Sequence, residues 1–435
     1  MNTGVKTIPL DTSDAFVALH ARRNFILNVI EGGLFMFGMN MVSSYTVLPY
    51  FVQQFSDQQW HQGLIPAIAN IGWLLPGLFV APLIAHMWTR KPITMVITIL
   101  ERIPWLILGL WLLLGNALDA TTTLALFFSL YALFMVSAGA NAVPWQDFIS
   151  RIIPEKSWGT FFGMQSGVGS LLGVAGAAVA TQILANKPFV LWGWQLIGAY
   201  PFPQNIGILS LGCFVVMAIS YLFLAFSIEP RVEPHPEKQA FWSLLRDVPS
   251  LLRNDRAFLI YLIAFAFLSL ALMGQSFVTA AALVRFHVSG STVGTFTIVL
   301  LASQALGNFG LGTLADRWGR RRVLIFVGIL GVVSLLLPWL ATSEVWFYPV
   351  FVLGGIALGG TQPANTAMVF SFAPAEKRAS YIALANSFNV PVMAGAPLVA
   401  GWLAGQYGYN VLFVLLASAG LLSAVLMKWW VASRD

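Results

Sequence analysis

The run Gly312-Thr-Leu-Ala-Asp-Arg-Trp-Gly-Arg-Arg-Arg-Val-Leu324 sets one aspartate and four arginines in a tight turn between two long apolar segments. Charges at that density do not lie in hydrocarbon, so the run marks a short water-exposed loop joining two membrane helices. The rest of the chain agrees. Of its 435 residues 58% are hydrophobic and 9% charged, where a soluble domain carries about 25% charged residues. Twelve apolar runs are long enough to cross a bilayer: 24–50, 64–86, 92–115, 121–143, 160–184, 205–227, 257–283, 292–315, 322–341, 346–371, 380–404 and 408–431. The first is too long for a signal-peptide core and no small-residue cleavage pattern follows it, so residue 1 is expected to belong to the mature chain.

A net charge of +6 suggests nucleic acid only until the charges are placed. With twelve spans and an inner N-terminus, 20 of the 23 lysines and arginines fall on one side. Lys187 and Arg285 fall on the other, and Arg102 lies within a span. This asymmetry predicts that both termini are cytoplasmic, and it excludes nucleic acid as a partner. The expected location is the cell (inner or plasma) membrane, with the bilayer as partner and the protein a monomer. The single cysteine, Cys213, excludes an intramolecular disulfide and a thiolate metal cluster.

One long polar interruption divides the chain. Residues 228–255 hold Pro230, Pro234 and Pro236, then an amphipathic stretch with Phe241, Trp242, Leu244 and Leu245 suited to a membrane surface. The expected units are a six-helix half over 1–227, a cytoplasmic linker over 228–255 and a second six-helix half over 256–435. The halves echo each other. Trp88-Thr89-Arg90-Lys91 aligns with Trp318-Gly319-Arg320-Arg321 at an offset of 318 − 88 = 230. Pro154, Lys156 and Phe161 align with Pro374, Lys377 and Tyr381 at an offset near 220, and Gly139 matches Gly359. Such duplication points to a transporter.

The opening run resembles the signature loop of the major facilitator superfamily, G-x-L-A-D-R-x-G-R-R-x-x-L, at nearly every defining position. The first-half copy, Leu83 to Lys91, is degraded, with His86 in place of the aspartate and Thr89 in place of the glycine. The resemblance implies an all-α membrane fold of twelve helices in two pseudo-symmetric halves. It also implies a latch at the cytoplasmic side that would carry to Asp316, Arg317, Gly319, Arg320 and Arg321. The start of span five near Ser157 offers a positive helix terminus to Asp316, and Asp147 or Glu155 offers an acid to the arginines. Because His86 is no such anion, the matching latch of the first half is expected to be weaker.

Ionisable residues within spans cost about 2.5–3.5 kcal/mol each on insertion scales, so each calls for a reason. There are three: Glu31, Glu101 and Arg102. Glu31 lies about 12 Å into span one, with Asn28, Phe35 and Gly38 at helical spacing. The resemblance implies that span one lines a central cavity. Glu31 is there a candidate to carry a proton or hold a cationic substrate, or else a protonated brace against a neighbouring helix. Glu101 and Arg102 point about 100° apart on an ideal helix, so no pairing between them is expected. Structural bracing is the favoured reading for both, although Arg102 must find an acid, carbonyls or an anionic substrate. Polar residues at helical spacing suggest a hydrated cavity: Gln275, Gln304 with Asn308, Gln362 with Asn365, and Asn386 with Asn389. Interhelical bonding explains any single pair equally well. Met36, Met39 and Met41 offer an adaptable wall or ordinary packing. Trp192, Trp194 and Tyr200 read as an interfacial aromatic belt.

No Walker loop, H-E-x-x-H or Cys/His metal spacing occurs, so no cofactor or metal is expected and the chain is not read as an enzyme. The five histidines (His20, His61, His86, His235, His287) fall in loops or at span edges. Span four holds no arginine and the glycines of span five come without a proline, so the sub-motifs of proton-coupled drug exporters are missing. The sequence therefore predicts a secondary transporter working by alternating access. Proton-coupled export of an amphipathic or weakly cationic small molecule is favoured, with Glu31 as the coupling group and Glu101 second. Uptake of a small solute or uncoupled facilitation is the runner-up, and a transporter-derived receptor or scaffold the alternative of another class.

Overall fold

The computed structural model describes residues 14–84, 87–115, 119–191, 194–232, 255–372 and 378–431, with the side chains of Asp316 and Asn386 among a few left out. The amphipathic stretch at 241–245, Trp192, His86 and His235 lie outside the described residues. Fourteen helices follow in order: α1 Asp14–Met41, α2 Val47–Phe55, α3 Trp60–Leu74, α4 Pro76–Ile84, α5 Lys91–Leu114, α6 Ala120–Ile152, α7 Trp158–Leu184, α8 Gln204–Ala225, α9 Arg256–Met273, α10 Gln275–Phe286, α11 Gly290–Trp318, α12 Arg320–Leu340, α13 Phe347–Phe372 and α14 Arg378–Trp429. Their apolar runs are the spans read from the sequence. Among the described residues nine helices are long and apolar enough to cross a membrane, and the last of these, 388–429, has 42 residues, the length of two crossings. The fold is all-α and polytopic. Its exception is a short antiparallel hairpin, Phe189–Leu191 with Trp194–Ile197, between α7 and α8, where the aromatic belt was expected.

The interruptions have local causes. Pro76 has no N–H to donate, so the hydrogen-bond ladder of span two is interrupted between α3 and α4 although Leu75 keeps helical dihedrals. Gly408 has a φ of 82°, a conformation costly for any side chain with a Cβ, and there α14 turns from span eleven into span twelve. Gly319 has a φ of 91° and makes the tight turn from α11 to α12. Asp119, Asp255 and Ser289 cap α6, α9 and α11 by accepting from the backbone N–H of Thr122, Phe258 and Thr292.

Four apolar clusters form the cores, two built around buried residues before 228 and two around buried residues after 255. The repeat seen in the sequence has a packing counterpart. A Cβ at Gly139 would stand 2.0 Å from the carbonyl oxygen of Gly72, and a Cβ at Gly359 would stand 2.0 Å from that of Gln304. Span four thus crosses span two, and span ten crosses span eight, at backbone contact through matched glycines.

Call the end of the bundle that holds the turn at Gly319 the arginine-loop end. At the far end the early and late helices are sewn together. Thr46 and Thr297 share a hydroxyl hydrogen bond, the Thr279 hydroxyl donates to the Tyr45 carbonyl, and the Tyr409 hydroxyl donates to Gln59. Asn70 Nδ2 donates to the Met393 carbonyl at 2.9 Å. Close approaches complete the seam. The Pro397 carbonyl oxygen lies 2.3 Å from where a Cβ of Gly63 would stand, and Leu184 and Thr181 abut Gly290 and Gly294 in the same way.

Candidate functional site

A cavity of about 380 Å³ lies below this seam, on the arginine-loop side. α1 contributes Glu31, Phe35, Met36 and Asn40, α5 contributes Thr98, Glu101 and Arg102, and α6 contributes Asn141 and Trp145. α7 adds Gln165, Ser166 and Ser170, and α3 adds Trp73. From beyond residue 255, among the described residues, α11 lines it through Leu301, Gln304, Ala305 and Asn308. The ionisable wall residues among those described stand on the first six spans.

The three in-span charges meet here. Arg102 is 4% exposed, Glu101 4% and Glu31 6%. Glu101 and Arg102 form an ion pair at 3.1 Å, contrary to the expectation from their helical phase. The 100° step separates the Cβ directions, but both side chains are long enough to bend back toward one another, and a buried charge strongly favours doing so. Arg102 is also anchored by two carbonyls: its Nε donates to Met217 on α8 at 2.7 Å, and its Nη1 to Thr98 at 2.8 Å. Asn141 Nδ2 donates to Glu101 Oε1 and to Thr98 Oγ1, each at 2.9 Å. Glu31 stands apart from this cluster. Its partner is Ser220 on α8, whose hydroxyl reaches Oε1 at 3.3 Å and the Glu31 carbonyl at 3.1 Å. No ion pair joins Glu31 to Arg102 among the described residues. The guanidinium pairs with Glu101 through Nη1, and Glu31 is a second carboxyl that makes no direct ion pair among the described residues.

The neutral polar residues divide. Gln304 lines the cavity and so does its helical neighbour Asn308. Asn28 does not: it is fully buried, with Nδ2 donating to Ser227 Oγ at 2.8 Å. Gln275 is buried elsewhere, donating to Ser334 Oγ at 2.7 Å. Asn365 accepts from the Tyr261 hydroxyl, Asn389 donates to Ser269 Oγ at 3.3 Å, and Gln362 is exposed away from the cavity. These five are interhelical braces or surface groups, because a three- or four-residue spacing places residues on one stripe without saying which neighbour the stripe faces. Of the three methionines only Met36 reaches the cavity; Met41 is core, with Met39 packed against it. Thr98, Asn141, Gln165 and Ser220 escaped the sequence reading. Each is a polar residue within an apolar span, which was the available signal.

At the arginine-loop end, Asp316 sits in the last turn of α11 and Arg317 is exposed beside it. Arg321 Nη1 donates to the Val431 carbonyl at 2.7 Å, fastening α12 to the end of α14, and Arg320 lies on the first turn of α12. Asp147 is engaged by residues of the first half: by Arg90, and by Arg151 at 3.2 Å. The degraded first loop is also held by Glu229, which accepts from the backbone N–H of Arg90 at 2.7 Å and of Lys91 at 2.8 Å, capping α5. Burial pushes the Glu229 carboxyl up from its usual range, opposed by those two backbone donors. Two acids, neither at position 86, thus surround the first-half loop.

Membrane-crossing helices around a buried polar cavity, with an arginine-rich turn between spans eight and nine, define an all-α polytopic membrane protein. Residues 263–435 match the family model of the Major Facilitator Superfamily. The chain is similar to Multidrug resistance protein 2 of Bacillus subtilis (strain 168), 30% identical over 142 residues that cover 32% of this chain and 34% of the relative. It is also similar to the glucose transport protein of Synechocystis sp. (strain ATCC 27184 / PCC 6803 / Kazusa), 28% identical over 143 residues covering 30% of each. These alignments span about a third of the relatives' own length. In fold the chain matches a crystal structure of a mutant of the nucleoside transporter NupG, with a TM-score of 0.73 and 12% identity, over 93% of this chain and 98% of that one. The three names concern a drug, a sugar and a nucleoside, so likeness leaves the substrate to the cavity.

Proposed function

We propose that the protein is a secondary transporter that moves a small molecule across the membrane by alternating access, with a proton as the coupling ion. The observation that carries this reading is the charge balance of the cavity. Arg102 is tied to Glu101 and to two carbonyls, while Glu31 makes no direct ion pair among the described residues. A carboxyl in that position must take up a proton or a cationic group from whatever enters. Competition between the two couples them. Apolar and aromatic walls from Phe35, Met36, Trp73 and Trp145 favour an amphipathic molecule with a basic group, and export is the favoured direction. The hydrogen-bonded far end and the cavity on the arginine-loop side of it support reading this as a state that faces the cytoplasm. In proteoliposomes under an imposed pH gradient, an amphipathic amine should accumulate beyond its equilibrium distribution. Carrier-dependent equilibration alone would instead make the protein a facilitator, the second reading.

The loop at Asp316 to Arg321 is proposed as the latch that forms when the arginine-loop end closes. Asp316→Asn should leave expression intact and slow turnover several-fold, read as flux at saturating substrate; wild-type turnover would remove the aspartate from gating. The charge asymmetry supports cytoplasmic termini. Cysteines introduced at Lys187 and at His235, the buried Cys213 being the only native thiol, should be labelled by an impermeant reagent from outside and from inside respectively. The reverse pattern would invert the topology.

A further inference from the structure

Two residues of opposite charge line this cavity, Arg102 and Glu31, and each has one side-chain atom with no hydrogen bond among the described residues, the Arg102 guanidinium also lying 5.9 Å from the centre of the Tyr221 ring. Arg102 spends Nε on the Met217 carbonyl and Nη1 on Thr98 and Glu101; no hydrogen bond reaches its Nη2 among the described residues. Glu31 spends Oε1 on Ser220, and its Oε2 likewise accepts none. Both side chains are more than nine-tenths buried, and both line the same cavity. Buried charged groups are rarely left with open valences, so each such atom asks for a ligand.

The two groups do not satisfy each other, and the anchoring explains why. Arg102 is pinned between a carbonyl of α5 and a carbonyl of α8, while Glu31 is pinned by a hydroxyl of α8. Their separation is therefore held beyond ion-pair distance. A purely cationic ligand would satisfy Glu31 and leave the guanidinium open. A purely anionic one would do the reverse and leave the carboxylate beside it uncompensated.

We propose that the cavity recognises an amphoteric small molecule, its ammonium group on Glu31 and its carboxylate on Arg102 Nη2, with an aromatic or branched apolar body against Phe35, Trp73 and Trp145. The inference rests on the transport reading and narrows its substrate class. A planar guanidinium edge is suited to a carboxylate, and protonation of Glu31 would release the ammonium end, which links recognition to coupling.

Three probes sharing one ring test this: phenylalanine, phenethylamine and 3-phenylpropionate, titrated into the purified wild-type protein by calorimetry. Phenylalanine should bind at about millimolar affinity or better and roughly tenfold or more tightly than either single-charge probe. Glu31→Gln should bring phenylalanine down to the level of 3-phenylpropionate. Arg102→Gln should bring it down to that of phenethylamine, and if that variant does not fold, the wild-type comparison and Glu31→Gln still decide. Phenethylamine binding as tightly as phenylalanine, or none of the three binding, would overturn the proposal. The transport reading is judged separately by amine flux under a pH gradient, so phenethylamine that binds tightly and is pumped would sink this inference alone.

Discussion

Glu31→Gln should abolish pH-driven transport while leaving exchange of substrate across the membrane in place. The substitution keeps the size of the side chain and the hydroxyl contact from Ser220 at 3.3 Å, but among the described residues it removes the one cavity carboxyl that makes no ion pair. A carrier that cannot exchange its proton still switches sides when loaded. Equilibrium exchange of labelled substrate should therefore persist, and accumulation driven by a pH gradient should fall by about a hundredfold, the scale of losing a positioned proton carrier. Glu101 behaves differently. Its charge is matched by Arg102 and its second oxygen by Asn141, so Glu101→Gln leaves a buried guanidinium held by carbonyls alone. That variant should lose folded yield before it loses coupling. An unchanged pH dependence in Glu31→Gln would remove this residue from coupling.

Gly63→Val should break the far seam. A Cβ at residue 63 would stand 2.3 Å from the Pro397 carbonyl oxygen and 3.3 Å from Gly401 Cα, and neither backbone atom swings away as a side-chain end would. The contact joins α3 to α14, so relief comes from parting the two halves at this end. Folding within each half does not use it. The variant is expected to express, and a cysteine placed at Ala142 in the cavity should become labelled from the far side. Labelling from the arginine-loop side should fall at least several-fold, as the population moves between two states separated by only a few kcal/mol. Gly163→Val is the matched control, because no atom lies within 4 Å of its Cβ position. Wild-type labelling in Gly63→Val, from a folded protein, would show that this crossing does not hold the far end closed.

Much of the architecture was legible because it follows from solvent preference and backbone geometry. The turn at Gly319 is where the arginine run put it, since a charged loop and a positive φ coincide there. The boundary between the last two spans falls at Gly408, which the apolar runs bracket within one residue. The matching of Gly139 with Gly359 is a crossing of backbones in each half. Side-chain destinations were less legible. Asn28 lies one turn from Glu31, yet it faces Ser227 at the end of span six while Glu31 faces the cavity. A shift of about 60° around a helix separates those two environments. The Glu101–Arg102 pair was unreadable from helical phase because flexible side chains, and not Cβ vectors, decide whether neighbours meet. Asn141 is an amide in the apolar middle of a long helix; its partner on α5 lies 40 residues away in sequence, a distance no local pattern encodes.

The measurement that tests alternating access most directly is a pair of distances between spin labels, one pair across each end of the bundle. Labels at Asp57 and Gln406 span the far end, and labels at Thr160 and Gln362 span the arginine-loop end; all four positions are exposed. Between acidic and alkaline pH, or on adding a transported amine, the account predicts opposite changes: the far-end distance lengthens as the arginine-loop distance shortens. Distances that stay fixed at both ends in every condition, or that grow and shrink together, would contradict a single cavity presented to the two sides in turn.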